Sequence, residues 1–470
     1  MARHYDLVVL GSGPAGHHAA IQAAKFGKRV AVVEKRQMVG GVCVNTGTIP
    51  SKTMREAVLH LTGFKQRSFY GSNYSVKENI TAKDLRLRTH RVINLEIEIF
   101  LKQFHRNRVD VISGSAAFVD PHRIAICGLN DSQEITADFV VIATGTSPAR
   151  PENIPFDDTS VLDSDTFLNI PALPHSLTIV GAGVIGVEYA CMTAALGIPT
   201  TVVEKRSAML EFVDDEIVEC LRFHMREMGV SFRFGEEVAN IKKTPDGWVI
   251  AELKSRKVIQ SDGLLFSVGR QGNTEGLGLE KAGLEKDSRG RISVNEHYQT
   301  RVPHIFAAGD VIGFPSLASV AMEQGRLAAC RAFGESASSM PQYFPYGIYT
   351  IPEISYVGLN EKQLTEDGVP YEVGVARYSE IARGNIIGDQ RGLLKLLFHR
   401  DDFRLLGVHI IGEGAAELVH IGQAVLSFEG SLDYFLRSVF NYPTLAECYK
   451  VAALAGSNKI SPDPTAVALH

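Results

Sequence analysis

Tyr5-Asp6-Leu7-Val8-Val9-Leu10-Gly11-Ser12-Gly13-Pro14-Ala15-Gly16 sets a short apolar run against a glycine-spaced turn, and an alanine-rich segment then leads to a second apolar run, residues 29–33, that ends in Glu34. This is the order of a strand–helix–strand unit that binds a dinucleotide. Gly11 and Gly13 permit a tight turn and close approach of backbone to a pyrophosphate, and Gly16 lets the helix pack on its strand. The helix N-terminus, opening at Pro14 and Ala15, faces the phosphates. Glu34, with Lys35 after it, stands where a ribose hydroxyl donates. A glycine turn that binds nothing is the competing reading of the same residues.

The pattern occurs twice. Residues 176–180 form a second strand-like run, Gly181-Ala182-Gly183-Val184-Ile185-Gly186 a second turn, and residues 200–203 lead to Glu204, Lys205 and Arg206. The first glycines and the closing acids are both offset by 170 positions, and both copies close on Val-Val-Glu-Lys-Arg, at 32–36 and 202–206. Such a duplication predicts two nucleotide-binding units and therefore two dinucleotides, one a flavin cofactor that stores electrons and the other a nicotinamide substrate that supplies them. Glu204 suits a ribose 2′-hydroxyl, whereas Lys205 and Arg206 attract a 2′-phosphate; a solvated charged turn is the other reading of this triplet.

Length and composition set outer limits. At 470 residues the chain has room for about three domains. A net charge of −5 gives no electrostatic reason to expect nucleic acid or an anionic membrane as partner. The six cysteines, Cys43, Cys127, Cys191, Cys220, Cys330 and Cys448, lack paired spacing, so no zinc site, no other metal site and no disulfide framework is expected. A start that runs directly into a strand, with no membrane-length apolar stretch, reads as cytoplasmic.

Between the copies, residues 53–105 carry helical periodicity, and Ala143-Thr144-Gly145 ends a buried strand. Prolines at 148, 151, 155, 171 and 174 then mark a boundary. Gly269 closes a strand and glycine turn like the one at 143–145. Gly309-Asp310 ends a further apolar run and is read either as an ordinary turn or as the acid beside a flavin's ribityl chain. From about residue 346 the chain has strand-like runs at 371–376, 393–398 and 405–411 and a helical one at 415–426. It carries no fingerprint there, so an interface domain is expected.

The remaining landmark is Gly40-Gly41-Val42-Cys43-Val44-Asn45-Thr46-Gly47-Thr48-Ile49-Pro50-Ser51-Lys52. Alone it reads as a glycine-rich turn into a helix capped by Ser51. Taken with both fingerprints, Ala143-Thr144-Gly145 and Gly309-Asp310, it resembles the flavoprotein disulfide reductases over nearly the whole chain. That resemblance implies an α/β chain with two Rossmann-like, doubly wound domains and a C-terminal α+β dimerisation domain. The implied divisions are 1–148 with 272–345 for FAD, 149–271 for NAD(P), 346–456 for the interface, and a tail at 457–470. It implies Lys52 facing the flavin, Glu188 as its ion-pair partner, and Asp310 with a helix starting near Leu317-Ala318 beside the isoalloxazine, where the helix dipole favours an anionic reduced ring. Gly41, Val42, Cys43 and Ala117 are implied as further cofactor contacts, and a homodimer or larger homo-oligomer as the assembly.

Two departures from the family pattern direct the expected chemistry. Thr48 stands where the second redox cysteine belongs, and a hydroxyl cannot exchange a disulfide. Phe440-Asn441-Tyr442-Pro443-Thr444-Leu445-Ala446-Glu447 puts Tyr442 where the family has its acid/base histidine, with Glu447 retained; a phenol is a poor base at neutral pH. Cys43 is left as either a redox thiol or a packing residue. With the thiol machinery gone and every nucleotide feature kept, the resemblance implies FAD-dependent transfer of hydride between NADPH and NAD+, of the Si-specific kind. NAD(H) and NADP(H) would use the second fingerprint in turn. An NAD(P)H diaphorase acting on quinones or oxygen, and a nucleotide-sensing scaffold, are the alternatives.

Overall fold

The structure, a computed structural model, describes residues 3–35, 39–128, 132–337 and 339–460. Arg36, which closes the first repeat, and residues 461–470 of the expected tail lie outside them.

The two repeats build two sheets of one design. In the first, the parallel order runs Asp110–Ser113, Val30–Glu34, Arg3–Leu10, Ser132–Ile142, Ile305–Ala307. In the second it runs Ser231–Phe234, Thr200–Glu204, Leu177–Val180, Gly263–Phe266, Val161–Leu162. Val8, Val9, Val32, Val140, Ile179, Val202 and Leu264 are fully buried. Helices cover both faces of such sheets, which is why the strands read as unbroken apolar runs with no alternation. Helices Pro14–Lys25 and Val184–Ala195 follow the two glycine turns. Each sheet also carries an antiparallel appendage: Ser115–Asp120 with Arg123–Cys127 on the first, and a separate three-stranded meander, Val238–Lys243, Val249–Leu253 and Val258–Ser261, beside the second.

The chain leaves the first unit through Thr146–Pro148 and returns through Arg270–Gly272, and these two passes pair as an antiparallel ribbon. The strand Ile305–Ala307 then rejoins the first sheet. The third unit is a five-stranded antiparallel sheet, Tyr346–Ile348, Ile354–Gly358, Leu405–Ile411, Leu393–His399, Tyr371–Arg377, flanked by helices Ala415–Ser427 and Glu447–Ile460. That last helix crosses residue 456 without a break.

Two sequence expectations need correction. The helical stretch at 53–105 is interrupted: Thr48–Leu61 ends near Gly63, whose φ of +62° leaves the helical region, and the 25-residue helix Ala82–Arg106 begins anew from a Thr81/Asp84 capping box. Ser51 caps nothing; Gly47 holds that position and the Ser51 hydroxyl donates back to Thr48 O at 3.3 Å.

Candidate functional site

The first fingerprint is a backbone cradle. Gly11 has φ +102°, and a Cβ there would meet Ala143 O at 2.5 Å, so turn and neighbouring strand touch as bare backbone. Gly41, at φ +61°, lies so close that its Cβ would be 2.8 Å from Gly13 Cα. Pro14 opens the helix with no side-chain cap, which leaves its first N–H groups for an anion. Glu34, 8% exposed, accepts from Ser12 N at 2.9 Å and Ser12 Oγ at 2.5 Å, while Ser12 Oγ accepts from Gly40 N at 3.0 Å. Glu34 thereby ties the glycine turn to the loop holding Gly41, Val42 and Cys43. Lys35 is exposed.

Opposite this cradle, the buried Thr144 hydroxyl has no hydrogen-bond partner, and Asp310 is held by Thr146 Oγ1 at 3.1 Å. Arg270 reaches the same threonine, its Nε donating to Oγ1 at 2.7 Å. Burial pushes the Asp310 carboxyl above its ordinary value against the pull of Arg270. Gly309 N donates to Gln324 Oε1 at 2.8 Å, and Leu317 and Ala318 begin the 15-residue helix Ala318–Ala332 with no side-chain cap. Bare glycine backbone, an orphaned buried hydroxyl and two uncapped helix starts fit a flavin dinucleotide. Ala117 lies in Ser115–Asp120, opposite Ala125, on a strand that contacts Val30–Glu34.

Lys52 joins all three units. Its Nζ lies 2.6 Å from Glu188 Oε2, on the helix of the second fingerprint, and Glu188 Oε1 accepts from the Tyr349 backbone N–H at 2.8 Å. The ammonium sits 5.0 Å from the centroid of the Tyr349 ring. Glu188 is 4% exposed, and both of its oxygens are engaged, as a buried carboxylate requires. Tyr349 carries no motif and was not expected; its neighbours Tyr346–Ile348 form a strand whose sequence signal is too short to read.

Cys43 stands in the short helix Gly41–Asn45, and burial raises its thiol while a hydrogen bond with Thr48 pulls the other way. All six cysteines are free. A half-buried thiol held above its ordinary pKa carries less thiolate at neutral pH.

In the second fingerprint Glu204 accepts from Ala182 N at 2.7 Å and from Arg206 N and Nε at 2.9 and 3.1 Å. Burial raises its carboxyl, but the Arg206 and Ala182 hydrogen bonds outweigh this and hold it below its ordinary range. Lys205 pairs with Glu237 at 3.1 Å. Ser267 Oγ donates to Val180 O at 2.8 Å beside Gly181 and Gly186, and Gly269 follows at φ +85°. Gly183, Val184 and Ile185 border open space or are half-buried.

Tyr442 and Glu447 do not join this assembly within the chain. Tyr442 is 73% exposed, and Glu447 starts a helix packed on Tyr371–Arg377 and Leu393–His399. Glu447 Oε2 is buried without a partner. Among the described residues the carboxylates of Asp214, Glu216 and Glu361 converge, but around the buried Lys395 ammonium, 2.8 Å from Asp214 and 3.1 Å from Glu216. No helix among them is long and apolar enough to cross a membrane.

Two repeated strand–glycine-turn–helix units, a free cysteine in Gly41–Asn45 against the first of them and a C-terminal antiparallel sheet are the parts of a flavoprotein oxidoreductase. The pyridine nucleotide-disulphide oxidoreductase model matches residues 5–325 and that family's dimerisation domain matches residues 344–453, so the chain belongs to this family. Within it, the chain is 55% identical over 460 residues to the soluble pyridine nucleotide transhydrogenase of Mycobacterium tuberculosis (strain ATCC 25177 / H37Ra), covering 97% of this chain and 98% of that protein. It is 45% identical to the protein of the same name from Marinobacter nauticus, covering 97% and 99%. Among solved structures, LpdA from Mycobacterium tuberculosis superposes with a TM-score of 0.88 at 26% identity, covering 96% and 99% of the two chains. The HOCl-induced flavoprotein disulfide reductase from Escherichia coli gives 0.86 at 28%, with the same coverage.

Proposed function

We propose that the chain is an FAD-dependent NAD(P)+ transhydrogenase of the Si-specific type, moving hydride between NADPH and NAD+ as a cytoplasmic homodimer. The observation that carries this reading is the coexistence of an intact Lys52–Glu188 pair with Thr48 in place of a second redox cysteine. FAD supplies two-electron storage between the two half-reactions. Gly11, Gly13, Gly16, Glu34, Thr144 and Asp310 hold it. Lys52 keeps a fixed positive charge at the junction of the three units, with Glu188 setting its position and Tyr349 supporting both. The uncapped start of Ala318–Ala332 adds a second positive field. The Gly181 site admits NADPH and NAD+ in turn, which makes Glu204, Lys205 and Arg206 the discriminating set. Tyr442 and Glu447 act at the dimer contact.

Because both nucleotides share one site, initial-rate plots at several fixed NADPH concentrations are expected to give parallel lines against an NAD+ analogue, with no lipoamide, glutathione or mercuric reductase activity. Intersecting lines sink the shared-site reading, and turnover only with quinones or oxygen makes the protein a diaphorase.

A further inference from the structure

A cleft of about 520 Å³ opens on the outer side of helix Pro14–Lys25, where Ala82–Arg106 and Ala318–Ala332 border it. Its walls carry His17, His18 and Lys25 from the first helix, Gln103 and Arg106 from the second, and Arg326 from the third. His17 is 6% exposed, wedged against Phe100 and Phe104 with ring centroids 4.4 and 4.9 Å away. Neither of its ring nitrogens has a hydrogen-bond partner. The Gln103 side chain lies near enough to pull against the effect of burial but makes no full hydrogen bond, so the imidazole has lost its water contacts and a molecule in the cleft would supply the missing partner.

The charges point to the sign of that molecule. Lys25 and Arg106 make no ion pair among the described residues, in a chain whose net charge is −5. Arg326 is clamped by Glu323, at 2.9 and 2.6 Å, so that carboxylate offsets one guanidinium and leaves the other two cations uncompensated. Burial keeps His17 neutral, its pKa pushed down to about 4, and lowers that of His18 as well. Each neutral ring still offers one N–H.

We propose that this cleft is an anion site separate from both fingerprints, taking a phosphate-bearing ligand with two or more negative groups. A guanidinium and an ammonium from different helices suit phosphate oxygens, and His17 and Gln103 complete the shell at its floor. A free pyrophosphate and the diphosphate arm of a nucleotide share this chemistry.

The test is isothermal titration calorimetry on the flavin-loaded protein, with inorganic pyrophosphate in one arm and adenosine diphosphate in the other. Pyrophosphate is expected to bind one site per chain. The exposed pair Lys25→Gln/Arg106→Gln should weaken it at least tenfold, and Arg206→Ala, in the second fingerprint, should leave it unchanged. His17→Phe should weaken it too, with flavin content reporting that the fold is intact. If both arms depend equally on Lys25 and Arg106, the ligand is recognised by its diphosphate; tighter ADP binding lost in the same variant makes it a nucleotide. Absence of binding in the millimolar range, equal affinity in the double variant, or loss only in Arg206→Ala overturns the proposal.

Discussion

In the first fingerprint Glu34 holds the N–H and hydroxyl of Ser12, and that hydroxyl takes Gly40 N–H; in the second, Glu204 holds Ala182 N–H and the Arg206 side chain. Residues 12 and 182 are equivalent in the repeat, and the hydroxyl of Ser12 has no counterpart on Ala182. That hydroxyl lets the first unit stitch the Gly40–Gly41 loop over its glycine turn, where Gly41 and Gly13 touch as bare backbone. The second unit lacks the stitch, and a Cβ on Gly183 would meet nothing within 4 Å. A roofed cradle suits a resident cofactor and an open one suits a substrate that leaves each cycle. Under the proposed function the same six-residue pattern serves both roles, and what surrounds it decides which.

The strongest way to break this comparison is to damage both copies identically. A Cβ on Gly16 would lie 1.9 Å from Gly11 O, and one on Gly186 the same distance from Gly181 O. Neither turn absorbs such a clash without moving, at a cost on the order of 3 kcal/mol or more. Gly16→Ala is expected to yield protein without flavin or no folded protein. Gly186→Ala should keep its flavin absorbance and lose NADPH-driven flavin reduction by more than 100-fold in stopped-flow measurements. Flavin loss from Gly186→Ala would show that the copies are not independent.

Much of this was legible because the repeat is local: strand, glycine turn, helix and acid lie within thirty-odd residues, and each is set by short-range rules. The Lys52–Glu188 pair spans 136 positions and was reached only through family resemblance. Tyr349 and the Thr146–Arg270–Asp310 relay were not reached at all, since loops meeting across unit boundaries leave no periodicity behind. Ser51 failed as a cap for a local reason: Thr48, Ile49 and Pro50 are already helical, and proline is tolerated in a first turn.

The next effect in size falls where the two units meet. Lys52→Met leaves Glu188 buried with one oxygen unpaired, and about a 100-fold loss in flavin reduction is expected. Tyr349→Leu removes only the ring beneath the ammonium, a contact of about 1 to 2 kcal/mol, so roughly a tenfold loss should follow and Tyr349→Phe should restore it. Equal losses in the Leu and Phe variants would move the role from the ring to the hydroxyl.

A smaller effect separates the substrates. Arg206 is engaged by Glu204 and by Glu211, at 3.4 Å, and must release them to meet a 2′-phosphate. Arg206→Ala should raise the KM for NADPH about tenfold with little change for NADH, and Glu204→Ala should do the reverse. A pair of variants with the same bias would show the triplet to be a solvated turn.

The last effect is on stability alone, with no change in catalysis. His224, on helix Asp215–Glu227 of the second unit, accepts from Arg391 Nη1 of the C-terminal unit through Nε2 at 3.1 Å, which leaves Nδ1 as the proton-bearing nitrogen facing Glu227. Burial and the neighbouring Arg391 charge, against the pull of Glu227 and Asp389, push its pKa down to about 4 from 6.5. The folded state thus disfavours the charged ring. Above pH 6.5 this carries no penalty, since the ring is neutral folded or unfolded. As pH falls below 6.5 the unfolded chain takes up a proton the folded one refuses, and stability drops by about 1 kcal/mol per pH unit until the ring itself titrates near pH 4. His224→Gln, neutral at every pH, should flatten that part of the denaturant-midpoint profile between pH 6.5 and 4. An unchanged slope would mean that Arg391 swings away when the ring charges, and that the joint between the second and third units yields without unfolding.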